Sequence, residues 1–399
     1  MPGPEDVKPV LLGRYALVAK LADGGMATLY LGRASDGGPD DLAALKVIKD
    51  GLTGDEVYEA MFLDEARILS LLSHPNVIRT HGFGITPGGH GYIAMELLLG
   101  RTLADAWDDH ARADQTMPLA LGTWICARVA EGLHSAHALR DENGELLRII
   151  HRDVNPSNVF LTHDGQVKLI DFGLAHARKR AAKTGEGIVK GKIPYLAPEQ
   201  AKRSDIDRRV DIFALGATLW EVCTGRRLFK RDTDAGTLQA VRDADIPDVR
   251  RLRPEVPDAL ATIVHRALAE DPADRYGTAG ELQRALDAFL EAQYGRVERT
   301  AREAELSAYL DAHFPGERAR QLAWVAAARA SRAPAPAVPP TVPPPGPLAA
   351  PPVLPHAAGG PAGDVSDDAL GRPRVPVAVI VTLGLVVAVV LFALAALRS

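Results

Sequence analysis

The sequence predicts an α+β fold in which strands come first and helices follow. Before residue 100, short apolar runs alternate with turn residues, as between Leu11 and Arg33, where two predicted strands flank a glycine-containing turn. After residue 118, apolar residues recur at helical spacing, beginning with the amphipathic segment from Leu119 to Leu139. This order of patterns predicts a strand-rich part followed by a helical part.

Composition and charge exclude several classes of protein. The 399 residues suffice for one large domain plus additional segments, and the net charge of −5 gives no support for a nucleic-acid binder. The two cysteines, Cys126 and Cys223, form neither a disulfide framework nor a metal-ligand spacing. We therefore expect both to be buried packing residues in a reducing compartment. The N-terminus carries acids and prolines and has no signal-peptide pattern.

A strand and the helix after it place a lysine opposite a glutamate. Leu42 to Ile48 alternates as a strand, with Ala44 and Lys46 on one face. Asp55 to Leu72 has helical periodicity, and Glu65 lies inside its apolar stripe. A carboxylate on a buried face is costly unless it is paired, so we expect Lys46 to be its partner.

The stretch around residues 149–171 predicts a hairpin that gathers polar groups. Val159 to Thr162 and Val167 to Ile170 are short apolar strands joined by a turn that contains Asp-Gly. Because an antiparallel hairpin returns its ends to one place, Asn158 should lie beside Asp171, with Asp153 on the same approach. Two carboxylates and an amide oxygen suit Mg²⁺ and leave one carboxylate to orient a hydroxyl.

The polar residues of this stretch form three motifs: His151-Arg152-Asp153, Asn158 and Asp171-Phe172-Gly173. Their order and spacing resemble the catalytic core of protein kinases, and the segment around Glu65 resembles that of bacterial Ser/Thr kinases. The resemblance covers about residues 11–290. It implies the two-lobed protein kinase fold, with a small β-rich N-lobe at about 11–98 and a larger helical C-lobe at about 99–290.

The resemblance also implies an enzyme that transfers the γ-phosphate of ATP to serine or threonine hydroxyls of protein substrates, including its own. Asp153 would orient the substrate hydroxyl, Asn158 and Asp171 would hold Mg²⁺, and Lys46 would hold the α- and β-phosphates. The implied ATP-binding residues are Leu21, Ala22, Asp23, Gly24, Gly25, Met26, Ala27, Thr28, Leu29, Ala44, Lys46, Glu65, Met95, Glu96, Leu98 and Phe160. Because Ala22 and Ala27 stand where the family has glycine, we expect a stiffer but functional lid.

Five further positions carry expected regulatory or structural roles. Arg152 is expected to bind a phosphate on the activation segment, and Thr184 is the single Ser or Thr between Asp171 and Glu199. In the family, a late arginine pairs with the glutamate of Ala-Pro-Glu. The implied structural residues are Glu199, its partner Arg275, and Asp211, which opens an apolar helix.

Two positions depart from the family pattern. Asn155 stands where the catalytic loop usually has a lysine, and Lys192 stands where the family usually has a threonine. Both family residues approach the catalytic aspartate, so this exchange keeps one ammonium and one polar group in the pocket. We expect Lys192 and Asn155 to be catalytic. The alternative is a nucleotide-binding pseudokinase that acts as a membrane scaffold, and tyrosine specificity also stays open.

The C-terminal part has three sections. Residues 291–333 are helix-prone and show no recognisable site, so they are expected to form a helical extension. Residues 334–374 form a Pro/Ala-rich linker, with 12 prolines between Pro334 and Pro361, predicted to be disordered and extended. A ligand for proline-binding domains is the alternative interpretation.

The last section predicts a membrane anchor. Residues 375–397 are 23 residues without a charge, and Arg372 and Arg374 precede them. As a helix this segment would be about 34 Å long, enough to cross a bilayer. The arginines favour an orientation with the kinase domain in the cytoplasm. The expected location is the cell membrane, and nothing in the sequence indicates an oligomeric state.

Overall fold

The N-terminal strands form one antiparallel sheet in the computed structural model of the protein. Its neighbours follow the order β1, β3, β4, β5, β7, β6, with β2 paired to β3. These strands are β1 (Glu5–Asp6), β2 (Leu11–Leu12), β3 (Tyr15–Asp23), β4 (Ala27–Ala34), β5 (Leu42–Ile48), β6 (Thr80–Ile85) and β7 (Gly91–Glu96). Helix α1 (Glu56–Leu71) packs against β6 and β7. This sheet and α1 form the small N-terminal lobe.

A second, three-stranded antiparallel sheet carries the predicted hairpin. It consists of β8 (Gly100–Thr102), β9 (Val159–Thr162) and β10 (Val167–Leu169), in the order β10, β9, β8. The predicted hairpin is thus present, although its second strand ends one residue earlier than expected. Gly100 has a φ of 157°, and a Cβ there would lie 2.0 Å from the carbonyl oxygen of Leu161. Only glycine fits this approach of β8 to β9.

Helices make up the rest of the large lobe. They are α2 (Leu103–Arg112), α3 (Leu119–His137), α4 (Pro198–Lys202), α5 (Arg209–Thr224), α6 (Asp234–Arg242), α7 (Val249–Leu252), α8 (Asp258–Ala267), α9 (Ala279–Tyr294), α10 (Arg299–His313) and α11 (Glu317–Ala330). Short 3₁₀ turns occur at Pro156–Asn158, Ile193–Tyr195 and Pro272–Asp274. The predicted α+β class, with strands before helices, is therefore confirmed.

The core of the large lobe is built around α5 and α3. Every residue of α5 from Val210 to Thr224 is buried, because this helix is apolar on all sides and other helices surround it. Cys126 of α3 and Cys223 of α5 are both free and buried, as predicted. Burial raises the pKa of both thiols, that of Cys223 to about 12. Such thiols are packing groups with little thiolate character.

The structure describes residues 5–6, 10–25, 27–37, 41–49, 56–86, 89–113, 115–172, 193–202 and 204–330, apart from the side chains of residues 5, 6, 56–61, 64 and 65. All of these fall within one unit of the chain, residues 1–342. Within this part of the chain, no helix is both long and apolar enough to cross a membrane. The predicted linker 334–374 and the predicted membrane helix 375–397 lie outside the described residues.

Candidate active site

The hairpin β9–β10 brings the end of the catalytic loop beside the start of the Asp-Phe-Gly motif. The amide N–H of Ile170 donates to the carbonyl oxygen of Asn158 at 2.9 Å, which places Asn158 next to Asp171. The Asn158 Nδ2 donates to the Asp153 carboxylate at 2.8 Å and to the Asp153 carbonyl at 2.8 Å. Asp153 is 8% exposed, so this carboxylate lies at the bottom of the cleft, held by an amide.

Asn155 gives the same carboxylate a second support. Its Nδ2 donates to Asp153 Oδ1 at 3.1 Å and to the Asp153 carbonyl at 2.9 Å. Its Oδ1 accepts from the N–H of Ser157 at 2.9 Å and so caps the 3₁₀ turn Pro156–Asn158. Both polar atoms of the Asn155 side chain are therefore used inside the loop. This geometry makes Asn155 a positioning residue for Asp153.

Asp211 holds the backbone of the catalytic loop from below. Its carboxylate, 1% exposed, accepts from the N–H of Arg152 at 2.7 Å and from the N–H of His151 at 2.8 Å, and it contacts His137 Nε2 at 2.8 Å. Arg152 has a φ of 64°, which is rare for a residue with a side chain. The two N–H bonds stabilise that strained turn. Sequence reasoning gave Asp211 a structural role but missed its three partners, because they come from distant segments.

The Asp211 carboxylate is charged despite its burial. Burial alone would raise its pKa, but the hydrogen bond and charge of His137, with the Arg152 N–H, bring the pKa below its ordinary value. His151 is buried as well, and burial lowers the pKa of its imidazole. Its Nδ1 accepts from the Asp153 N–H at 3.3 Å, so the proton is on Nε2, which faces the Ile170 carbonyl at 3.2 Å.

The His151 ring also packs against Phe172, with ring centroids 4.4 Å apart. Phe172 is 1% exposed and belongs to the main core of the large lobe. This contact fixes the chain immediately after Asp171. Asp171 itself has a φ of 54°, so a strained residue is held between the hairpin and a buried aromatic side chain.

On the small-lobe side, Lys46 reaches Asp171 across the cleft. The Lys46 Nζ lies 3.1 Å from Asp171 Oδ1, and their side chains are 22% and 51% exposed. Lys46 is on β5, between Leu29 of β4 and Ile93 of β7. The ion pair with Asp171 had not been predicted. The expected partner Glu65 is on α1, and its side chain lies outside the described residues.

The glycine-containing loop is a tight turn between β3 and β4. The Gly24 N–H donates to the Ala27 carbonyl at 3.0 Å. Asp23 contacts Lys49 at 2.6 Å and Lys20 at 3.1 Å, and hydrogen bonds from these two lysines lower the pKa of Asp23 to about 2. Thr28 donates to the same carboxylate at 3.2 Å. The two lysines and Asp23 thus stabilise the base of the loop, where Ala22 of β3 pairs with Leu29 of β4. At its tip Gly25 is exposed, and Met26 lies outside the described residues.

Apolar side chains form the inner wall behind Lys46. Ala44 and Met95 are buried and are neighbours in the register of β5 and β7. Leu29, Leu98, Met95 and Ile170 share one apolar cluster, whereas Leu21 belongs to a separate cluster together with Leu97. Phe160 is also buried, on β9. Leu97, Leu98 and Leu99 connect the lobes, so the expected adenine-binding segment lies between sheet and hairpin.

Two ion pairs support the site from outside. Glu96, an expected ATP-binding residue, ends strand β7 just before the connection between the lobes. Its carboxylate accepts from Lys168 Nζ at 2.9 Å and from the Arg79 N–H at 2.7 Å. Arg275 donates to both carboxylate oxygens of Glu199, at 2.7 and 2.9 Å, and this pair is buried. A planar, two-bond arginine–carboxylate pair fixes orientation well.

Several expected residues fall outside the described part of the chain. Thr184 and Lys192 lie in 173–192, so the structure gives no geometry for the activation segment or for the Asn155/Lys192 exchange. Arg152 is described, and burial lowers the pKa of its guanidinium. Among the described residues, no group of three His, Cys, Asp or Glu side chains could hold a metal by itself.

The donor set fits a hard cation held jointly with a phosphate. Both polar bonds of the Asn158 Nδ2 point to Asp153, which leaves the amide oxygen as its ligand atom. The half-exposed carboxylate of Asp171 would be the second oxygen ligand. Two oxygen ligands from the protein suit Mg²⁺, which usually keeps waters and substrate phosphates in its coordination shell.

Comparison with known proteins identifies the family of this chain. Residues 15–286 match the family model described as protein kinase domain. Tyrosine-protein kinase MasK of Myxococcus xanthus is 39% identical over 308 residues, 77% of this chain and 47% of MasK. Serine/threonine-protein kinase PknL of Mycobacterium tuberculosis is 33% identical over 282 residues, 71% of this chain and 67% of PknL. This chain thus spans about half the length of MasK.

Solved structures agree with the sequence comparison. The crystal structure of the Mycobacterium tuberculosis PknI kinase domain superposes with a TM-score of 0.54 at 28% identity, covering 71% of this chain and 98% of that domain. The predicted two-lobed kinase fold is confirmed. From the family match, the relatives and the shared fold, this chain belongs to the protein kinase family, with bacterial serine/threonine-protein kinases among its relatives.

Proposed function

We propose that this chain is an active, ATP-dependent serine/threonine protein kinase whose kinase domain occupies residues 11–290. The observation that carries the proposal is the arrangement in one cleft of a carboxylate held by two amides, Asp153, and the pair Lys46–Asp171. These are the groups that phosphoryl transfer needs, since its catalysis rests on positioning and charge stabilisation. Protein substrates and ATP are the proposed partners.

Each residue has a defined task in this proposal. Asp153, fixed by Asn155 and Asn158, accepts a hydrogen bond from the substrate hydroxyl and orients its oxygen toward the γ-phosphate. Lys46 holds the α- and β-phosphates, and the apolar wall around Met95 encloses the adenine. Mg²⁺, when bound through Asn158 and Asp171, neutralises charge on the phosphates.

The missing ammonium of the catalytic loop is proposed to come from Lys192. Asn155 cannot replace it, since its side chain is used to hold Asp153 and Ser157. A phosphate-contacting charge that acts in the transition state is worth about 10²-fold in rate. Lys192→Thr should therefore slow transfer by about that factor, measured as kcat with ATP affinity determined separately. Unchanged turnover would show that the exchange is incidental.

The names of the relatives differ in the amino acid whose hydroxyl accepts the phosphate. MasK is named a tyrosine-protein kinase, whereas PknL is named a serine/threonine-protein kinase. We propose serine/threonine specificity, supported by the motif neighbourhood and by the further relatives PrkC of Bacillus subtilis and RqkA of Deinococcus radiodurans, both named serine/threonine-protein kinases.

The proposed activating switch is phosphorylation of Thr184, whose phosphate would bind Arg152.

Membrane attachment through 375–397 is proposed on the sequence alone. This segment has 23 residues and no charge, and arginines precede it. The kinase domain would then lie on the cytoplasmic face of the cell membrane. Deleting 375–399 should release a soluble and still active kinase; recovery of the intact protein without detergent would contradict the anchor.

The second candidate function is a nucleotide-binding pseudokinase, favoured by Ala22, Ala27 and Asn155. One experiment separates the two. Purified full-length protein is incubated with γ-labelled ATP and Mg²⁺, and the phosphorylated amino acids are identified, with Asp171→Ala as the control. Phosphoserine or phosphothreonine that disappears in the Asp171→Ala protein supports the proposal. Phosphotyrosine would change the specificity, and absence of transfer by a protein that binds ATP would favour the pseudokinase.

A further inference from the structure

Two helices beyond the kinase family match fold back onto both lobes. The match ends at residue 286, but α10 (Arg299–His313) and α11 (Glu317–Ala330) continue the ordered chain. In α11 the buried positions are Glu317, Gln321 and Ala328. They recur along one face of the helix at intervals of about one or two turns. This face contacts the kinase domain at several places.

The first attachment is to the turn of the catalytic hairpin. Ser307 of α10 donates to the carbonyl oxygen of His163 at 2.8 Å, and Arg318 of α11 donates to the same oxygen. Gly165 has a φ of 87°, and a Cβ there would lie 1.9 Å from the carbonyl oxygen of Glu303. The backbone of α10 therefore lies directly on the turn between the strands that carry Asn158 and Asp171 at their other ends.

The second attachment is beside the connection between the lobes. Gln321, 4% exposed, donates to the carbonyl oxygen of Gly100 at 3.1 Å. Glu317 forms an ion pair with Arg101 at 2.9 Å, and both side chains are largely buried. A buried charge pair fixes geometry even where it adds little net stability. These bonds tie α11 to the residues that directly follow Leu97–Leu99.

The third attachment is on the small lobe. Ala328, 2% exposed, packs in one apolar cluster with Ala19, Leu31 and Leu42 of three adjacent strands. Val325 of α11 is partly buried against the same cluster, as are Val18, Leu21 and Leu97. Leu21 is an expected ATP-binding residue, and Leu97 lies in the connection between the lobes. Arg329 adds an ion pair with Asp41 at 3.2 Å.

We propose that α10 and α11, residues 299–330, form an interlobe strap that fixes the small lobe over the catalytic loop and supports the adenine end of the cleft. The strap touches the catalytic hairpin, the interlobe connection and the small-lobe sheet. The lobes are already joined by the chain Leu97–Leu99 and by the ion pair of Glu96 with Lys168, and the strap adds contacts to the large lobe and to the small lobe. Fixing this geometry before nucleotide binds reduces the cost of binding. The inference rests on the proposed function only where nucleotide affinity is concerned.

Ala328 and Ala327 provide a matched test. Both are alanines of α11, but Ala328 is buried against the small lobe and Ala327 is exposed. Ala328→Arg places a long cation where no volume is available and should lift α11 from the sheet. In the full-length protein we expect about tenfold weaker binding of a fluorescent ATP analogue, with kcat less affected. Ala327→Arg should bind the analogue like the unmodified protein.

Hydrogen exchange gives a readout that does not depend on nucleotide. Amides of 97–100 and of 17–21 should exchange faster in the Ala328→Arg protein than in the Ala327→Arg protein, while amides of α5 stay protected. Equal exchange and equal affinity in the two variants would overturn the strap. If the unmodified protein binds no nucleotide, the proposed function fails, and hydrogen exchange alone decides on the strap.

A milder variant covers the case in which Ala328→Arg does not fold. Gln321→Ala with Arg329→Ala removes one hydrogen bond at the connection and one surface ion pair on the small lobe. We expect this double variant to fold and to weaken analogue binding about threefold, because one contact ties α11 to the large lobe and the other ties it to the small lobe. Affinity and exchange equal to those of the unmodified protein would contradict the proposal.

Discussion

The two sides of the cleft are held in different ways. On the large-lobe side, Asp153 and Asp211 are buried and accept hydrogen bonds from neighbouring amides and N–H groups. On the small-lobe side, Lys46 is partly exposed and reaches Asp171 across the cleft, and the loop at Asp23 is braced by two partly exposed lysines. Exposed ion pairs contribute little stability, whereas buried networks fix geometry. The catalytic loop is thus pre-organised by its own contacts, and the small lobe depends on contacts with more distant parts of the chain.

Removing the central carboxylate of the large-lobe side should have the largest effect. Asp153→Ala leaves Asn155 and Asn158 without their shared acceptor and removes the group that orients the hydroxyl. We expect transfer to fall by about 10³-fold or more, with ATP affinity nearly unchanged. Asp164→Ala, which removes an exposed carboxylate in the turn of the same hairpin, is the matched control. Strong phosphorylation by folded Asp153→Ala protein would contradict the assignment.

The second-largest effect is expected from weakening the hydrogen bonds that Asp211 accepts from the catalytic loop. In Asp211→Asn, an NH₂ group faces one of the N–H donors that the carboxylate now accepts. Bonds from donors to a buried charged acceptor contribute about 1.5–3 kcal/mol each, so the free energy of unfolding should fall by about 3 kcal/mol. Denaturant unfolding measures this change, and transfer should fall as Arg152 leaves its strained conformation. A change below about 1 kcal/mol would show that the network is weaker than its geometry indicates.

The smallest expected effect is the pH dependence of stability that comes from His163, in the hairpin turn that the strap contacts. Burial, then the charge of Arg318, lowers the pKa of His163, against the opposing charges of Asp311 and Glu317. A histidine whose pKa is lower in the folded protein binds protons more readily when unfolded. Its contribution to stability is therefore complete above about pH 6.5 and is lost as pH falls toward the lowered folded-state pKa.

Thermal unfolding between pH 7.5 and 5.5 checks this expectation. The unfolding temperature should decrease on acidification, and His163→Gln should make that decrease smaller because the titrating group is gone. An identical pH dependence in both proteins would contradict a role for His163.

Local patterns predicted the parts of the site that local contacts form. The hairpin β9–β10 followed from strand alternation and an Asp-Gly turn, and it placed Asn158 beside Asp171 as expected. The bonds from Asn155 to Asp153 span only two residues, but amide side chains have no preferred partner that a pattern would reveal. That is why Asn155 was predicted as catalytic without its positioning contacts.

Long-range contacts could not be predicted in the same way. The strap joins Gln321 to Gly100 and Ala328 to Leu31, pairs that are far apart in the chain. The sequence predicted helix in 291–333 but did not predict the buried stripe of α11, because two of its three positions, Glu317 and Gln321, are polar. Which surface that stripe covers is decided by the assembled lobes, because apolar burial has no direction of its own.

Hydrogen exchange of the full-length protein, with and without ATP and Mg²⁺, tests the difference between the two sides most directly. The amides of His151, Arg152 and Asp153 donate to Asp211 and His151. They should be protected before nucleotide is added, whereas the exposed loop at residues 22–25 should gain most of its protection when nucleotide binds. If 151–153 exchange as fast as 22–25 until nucleotide is present, the catalytic loop is not pre-organised and the account is wrong.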